Sequence, residues 1–160
     1  MAFFRSNKKN AIYSPAESQI FPLEELNDGV FSRKLLGDGI GFRFKGDRIA
    51  SPCYGEVIMV AGTRHAIGMR LQNGAEILLH IGLETVALNG KGLNVHVKKG
   101  DRVRPGDLLI QLDLDVIQAK KIDLSSALII TNEDAYRFHP SFPKTAHTRD
   151  LLFSIDRKQV

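Results

Sequence analysis

The 160-residue chain has a single cysteine, so no disulfide can form within it, and a reducing cytoplasm is the expected compartment. No apolar run approaches the roughly 18–20 residues needed to cross a bilayer, and the N-terminus lacks the apolar core of a signal peptide. A concentrated excess of one charge is also missing. The net charge is +4, and the basic residues are scattered, with small knots only at Lys8-Lys9, Lys98-Lys99 and Lys120-Lys121. Such scatter marks a solvated surface rather than a nucleic-acid footprint, and no nucleic-acid partner is expected.

What is present describes an ordinary globular domain. Hydrophobic residues make up 43% and charged residues 25%, enough to bury one core in a chain of this length. The 14 glycines are well spread, as a fold with many tight turns requires. Short runs such as Ile40–Phe44, Gly55–Val60, Leu93–Val97, Leu108–Leu112, Leu128–Thr131 and Leu151–Ile155 read as strands, with turn signals every eight to twelve residues. Ser14–Pro22 reads as an edge strand because proline cannot donate to a ladder. Asp113–Lys121 is the best helix candidate. The expected fold is all-β and mostly antiparallel, a single-domain sandwich or barrel with one or two short helices. A flexible tail is expected over residues 1–12, able at most to touch anionic lipid weakly, and a second short tail over residues 157–160. Gly46-Asp47-Arg48-Ile49 is echoed by Gly100-Asp101-Arg102-Val103, a hint of pseudo-symmetry. Residues 136–148 give no regular pattern.

The chemistry concentrates in residues 63–86, TRHAIGMRLQNGAEILLHIGLETV. Asn73-Gly74 is a strong hairpin signal. With those two as the loop, Ile67 faces His80 and His65 faces Gly82, which puts His65 and His80 on one face as diagonal neighbours roughly 7–8 Å apart. A slip of one residue would separate them. The pair supports three chemistries. Both imidazoles can ligate zinc, with Glu84 as a third ligand. One can be the general base of a hydrolase, although no nucleophile stands out; Cys53 reads better as a small buried hydrophobe. One can be a nucleophile that accepts a transferable phosphoryl group, its charge countered by the other imidazole and by backbone N–H groups such as those of Ile81-Gly82.

HAIGMRLQNGAEILLHIGLETVALNGKG closely resembles the signature of the IIA components of the bacterial phosphoenolpyruvate-dependent sugar phosphotransferase system, glucose family. GVFSRKLLGDGIGF, SPCYGEV, KGDRVRPGDLLIQLDLDVI and ALIITN are similar to further family blocks, so the resemblance covers roughly residues 20–135. The β domain, placed at residues 13–156, would then be a freestanding IIA component. By this resemblance His80 accepts a phosphoryl group from phospho-HPr and passes it to a cysteine of a IIB domain of a sugar permease. His65 would stabilise the phosphoryl group, Thr63 would orient His65, and the Gly82 backbone would support the site. Phe31, Leu35, Leu36, Leu78 and Val86 map onto the family's apolar docking rim, with core packing the competing reading for Leu78. Asp28 and Glu84 match its flanking acids, and Asp134 a further one. No cofactor is implied as required, although zinc at His65 and His80 in a partner interface is compatible. The protein is expected to be a monomer. The alternative is a regulatory module that grips partner proteins through the histidine pair according to zinc or phosphorylation state. Two departures stand out: the opening strand SPAESQIF lacks the family's usual glycine, and HPSFPK interrupts the region after Asp134. The late block is also similar to biotinyl and lipoyl carriers, but those need a lysine at an exposed hairpin tip, and Asn73-Gly74 has none.

Overall fold

The computed structural model describes residues 8–159, and its named strands all pair antiparallel. In chain order these are β1 (Ala11–Tyr13), β2 (Glu17–Pro22), β3 (Asp38–Lys45), β4 (Arg48–Ala50), β5 (Gly55–Val60), β6 (Ala66–Leu71), β7 (Glu76–His80), β8 (Leu93–Val95), β9 (Arg102–Val103), β10 (Leu108–Leu112), β11 (Ser126–Ile130), β12 (Tyr136–Phe138) and β13 (Leu151–Arg157). One short α-helix, α1 (Leu114–Ala119), follows β10. Asp113 starts it by accepting the N–H groups of Asp115 and Val116, an N-cap that satisfies donors the first turn leaves open. No helix among the described residues is long and apolar enough to cross a membrane.

A seven-stranded sheet runs in the order β2-β3-β11-β7-β6-β5-β9, and two three-stranded sheets, β4-β10-β8 and β1-β13-β12, complete the fold. One face of the large sheet carries Ile67, Met69, Leu71, Ile77, Leu79 and Leu128 into the main core. Its other face carries Phe21, Ala127, Ile129 and half-buried Leu78 into a second, smaller cluster with Leu23, Leu26 and Phe31. The loop between β2 and β3 lies over that second face.

The echo of Gly-Asp-Arg is realised as a reciprocal exchange. β4 pairs with β10 while β9 pairs with β5, so each half of one unit bonds to the opposite half of the other. The N-terminal stretch is not all tail. Residues 1–7 lie outside the described residues, but Lys8–Asn10 form a 3-10 turn, and Ala11 and Ile12 are fully buried in β1 against β13. At the other end β13 runs through Arg157.

Residues 136–148 are also more ordered than their pattern suggests. Tyr136–Phe138 pairs with β13. Next, the Pro143 carbonyl accepts the Ile20 N–H at 3.0 Å, and Ala146 exchanges bonds with Ser18 at 2.9 and 2.7 Å. Residues 143–146 therefore cover the open edge of β2, and Pro143 has no N–H to offer a further strand. The segment closes the sheet.

Candidate active site

The hairpin that carries the histidines does not use a two-residue loop. Arg70 pairs with Glu76, Met69 with Ile77 and Ala66 with His80, and the Leu71 N–H bonds the Ala75 carbonyl. The loop is thus Gln72-Asn73-Gly74, a turn closed by Gly74 N–H to Leu71 O at 3.0 Å, with Gly74 left-handed at φ +89°. This is the three-residue hairpin in which the glycine forms a bulge. The register is displaced by one residue from that expected, and strict alternation would now send His65 into the main core with Ile67. It does not go there because His65 precedes β6. Arg64 adopts φ +63°, the strand starts only at Ala66, and the His65 ring turns toward His80. The imidazole centroids lie 4.7 Å apart at an interplanar angle of 78°. The pair is assembled, by a bend rather than by the pleat.

His80 ends β7, and its row across the sheet, read from the pairings, is Phe21–Gly41–Ala127–His80–Ala66. Small residues flank it on both sides, which leaves room over the sheet for other groups. The Phe31 ring takes that room, 4.8 Å from the His80 ring at 58°. Phe31 is 6% exposed, so it is a wall of the site rather than part of a docking rim. Asp28 holds this loop in shape by accepting the Phe31 and Ser32 N–H groups at 3.2 and 3.0 Å.

Burial, the neighbouring His65 and the Gly82 backbone set the His80 protonation. Desolvation first, then His65, push its pKa down to about 4, against smaller upward effects from the Gly82 backbone and the Asp28 charge. His65 is lowered as well, by desolvation, with Thr63 opposing. Both rings are therefore neutral at neutral pH. The His80 Nδ1 atom is enclosed and has no hydrogen-bond partner of standard geometry. That leaves Nε2 as the nitrogen able to meet a partner. Thr63 Oγ1 lies 2.6 Å from His65 Nδ1, which directs the other ring nitrogen of His65 away from the Thr63 side.

After His80 the chain turns at Gly82, φ +76°. The backbone donors expected to counter a phosphoryl charge are already engaged here. Ile81 N–H bonds the His65 carbonyl at 2.8 Å, and Gly82 N–H bonds Ser126 Oγ at 2.9 Å. Thr85, fully buried, bonds the Ile81 carbonyl, and its methyl group fills the space a Gly82 side chain would need. Gly82 thus supports the site by its shape and not by a free N–H. Ser126 and Thr85 were not singled out from sequence; the only signal for either was the Thr that follows Glu84 in the histidine motif.

The remaining residues divide by position. Leu35 (65% exposed), Leu36 (49%) and Val86 (56%) are exposed apolar side chains, as are Val30 and Met59. Met59 was missed because alternation with Val57 would point it into the core; a bulge between them turns it to face Gly68 and the Leu78 row. Leu78 is half-buried and packs with the second cluster. Glu84 is exposed at the start of the 3-10 turn Thr85–Leu88 and makes no cap bond. No group of three or more His, Cys, Asp or Glu side chains able to hold a metal gathers among the described residues, so Glu84 does not complete a zinc set with the histidines. Asp134 belongs to the turn after β11, where Thr131 and Asn132 bond Glu76. That is the far end of β7, four residues or about 13 Å from His80, so Asp134 does not join the pair. Cys53 is buried, and desolvation raises its thiol to about 12, which leaves it inert.

Residues 10–136 match the model of a family described as phosphoenolpyruvate-dependent sugar phosphotransferase system, EIIA 1. The chain is 41% identical over 133 residues to the PTS system glucose-specific EIIA component of Oceanobacillus iheyensis, covering 83% of this chain and 81% of the relative. It is 42% identical over 132 residues to the PTS system beta-glucoside-specific EIIBCA component of Bacillus subtilis, covering 82% of this chain but only 22% of that larger protein. Among solved structures, the glucose permease IIA from Mycoplasma capricolum superposes with a TM-score of 0.83 at 31% identity, covering 97% of this chain and 99% of the other.

Proposed function

The chain belongs to the phosphoenolpyruvate-dependent sugar phosphotransferase system EIIA 1 family, and from that premise we propose that it is a phosphocarrier in which His80 is transiently phosphorylated on Nε2. One observation carries the choice of atom and residue: in a close pair of neutral imidazoles, His80 has its Nδ1 enclosed and only Nε2 left to react. A neutral ring with its proton on Nδ1 offers the Nε2 lone pair. That pair forms a bond to the phosphorus of a donor phosphohistidine, the donor's N–P bond breaks, and its electrons return to the donor ring. Onward transfer reverses the roles: a cysteine thiolate attacks phosphorus and the pair returns to Nε2.

His65 is the clamp. If the Thr63 hydroxyl donates to His65 Nδ1, the Nε2–H of His65 is free to donate to a phosphoryl oxygen, the role of a second imidazole beside a developing charge. The donor in this reading is HPr and the acceptor a IIB domain of a sugar permease; the Bacillus subtilis relative carries B, C and A components in one protein by its name. Leu35, Leu36, Val86, Val30 and Met59 form the apolar surface on which both partners dock in turn, with Asp28 and Glu84 as the acids beside it. A cytoplasmic location and a monomeric state go with this reading. A zinc ion held by the pair would need further ligands from a partner.

The experiment is phosphorylation by HPr of the wild type and of single histidine variants. His80→Gln should take up no acid-labile phosphate. His65→Gln should still be phosphorylated but should pass phosphate on poorly, because the acceptor nitrogen remains and the clamp is gone.

A further inference from the structure

We propose that Ser126 is a positioning residue for His80: by holding the Gly82 N–H it fixes the turn that presents the Gly82 carbonyl to the ring, which keeps the His80 proton on Nδ1 and the lone pair on Nε2. The inference rests on His80 being the phosphoryl acceptor. Ser126 is fully buried on β11, beside Ala127, the residue paired with His80. Its hydroxyl accepts the Gly82 N–H at 2.9 Å and donates to the Leu124 carbonyl at 2.8 Å, so its proton is already committed and its oxygen can only accept from Gly82. Three further restraints fix the same turn. Thr85 bonds the Ile81 carbonyl, Leu83 N–H bonds the Asp123 carbonyl at 3.1 Å, and Gly82 holds a left-handed conformation that the Thr85 methyl group would deny to any side chain.

This matters because the tautomer of a buried imidazole follows the partner of its enclosed nitrogen. His80 Nδ1 is enclosed and has no partner of standard geometry. The Gly82 backbone raises the His80 pKa, the direction expected of an acceptor near a ring N–H. With the Gly82 N–H tied to Ser126, the peptide cannot donate to Nδ1. Without the Ser126 hydroxyl the buried amide loses its acceptor, the turn shifts toward another, and the carbonyl that holds the Nδ1 proton shifts with it, which lets the proton move to Nε2 and block the nucleophile. The same carbonyl matters after transfer. A ring with phosphate on Nε2 and a proton on Nδ1 is cationic, and an acceptor at Nδ1 steadies that charge.

The test reads the tautomer directly, from two-bond proton–nitrogen correlations of His80 in ¹⁵N-labelled, unphosphorylated protein at neutral pH. Wild type is expected to carry the proton on Nδ1. Ser126→Ala should move population to Nε2–H and slow phosphorylation by phospho-HPr by roughly tenfold, the scale on which an outer partner acts on a histidine. Ser126→Thr, which keeps the hydroxyl, should restore both. Ser126→Cys, a near-isostere with a weakly accepting sulfur, gives the same readout if the alanine variant does not fold. A wild-type ring protonated on Nε2, or folded Ala and Cys variants with the wild-type tautomer, would overturn the assignment. If the tautomer responds as expected but phosphate never reaches wild-type His80, the positioning role stands and the phosphocarrier reading fails.

Discussion

At the scale of single residues, the lowered pKa of His80 makes a signed prediction for pH. A histidine with a folded pKa near 4 and an unfolded value near 6.5 binds fewer protons folded than unfolded between those limits. Its burial therefore costs nothing above about pH 6.5, and stability falls as pH drops from there toward 4, by on the order of 3 kcal/mol. Denaturant unfolding at several pH values should show that slope in the wild type and a shallower one in His80→Gln. Phe31 belongs to the same scale. It encloses the ring, so Phe31→Ala should admit water and raise the His80 pKa toward 6.5, read by titration of the imidazole resonances. The same change should lower stability by about 3 kcal/mol or more, as large-to-small core substitutions do. The two histidines and Thr63 were legible because they sit in two recognisable motifs. Phe31 was legible as a residue but not as a wall, since periodicity gives no measure of burial inside an irregular loop. Ser126 was invisible, because a serine in an apolar strand gives no sign of which backbone group it will meet from a distant turn.

At the scale of elements, the hairpin and the closing segment each carry a test. Gly74 holds φ +89° and lies where an added Cβ would come within 2.9 Å of the Tyr136 hydroxyl. That hydroxyl also bonds the Asn73 carbonyl at 2.8 Å. Gly74→Ala should therefore destabilise the fold by about 1–2 kcal/mol, seen as a lower Tm, through backbone strain and displacement of Tyr136. The closing segment is tied to β2 by His147 Nδ1 and Glu17, 2.6 Å apart. The carboxylate raises the His147 pKa, so this contact adds stability at low pH and loses it as pH rises through the raised value. His147→Gln should lower Tm more at pH 6 than at pH 8, the reverse of the His80 effect. Most strands could be read from sequence within a residue or two. The errors share one cause: Asn73-Gly74 fits both a two- and a three-residue loop, and only the partner strand decides between them. The bulge before Met59 and the pairing of Tyr136–Phe138 are likewise set by distant chain, which local pattern does not record.

At the scale of the whole molecule, the large sheet has two jobs. One face makes the core, and the other carries a histidine pair beneath a loop and beside exposed apolar side chains. The site and the exposed apolar side chains can then vary separately from the core. Leu35→Asp, at a side chain 65% exposed, should leave Tm nearly unchanged while weakening the KM for phospho-HPr severalfold; a change in Tm with no change in KM would remove Leu35 from the partner surface. The antiparallel all-β class was readable from the spacing of strands and turns. Division into three sheets was not, because the crossed pairing of β4 with β10 and β9 with β5 depends on contacts more than forty residues apart. The central proposition, a phosphoryl group carried on one nitrogen of one histidine, is tested most directly by incubating the protein with phosphoenolpyruvate, enzyme I and HPr and mapping the phosphohistidine by mass spectrometry and ³¹P spectroscopy. Phosphate on His80 Nε2 alone, absent from His80→Gln, is the predicted result. Phosphate on His65 or elsewhere, or acid-labile phosphate that persists in His80→Gln, would contradict it.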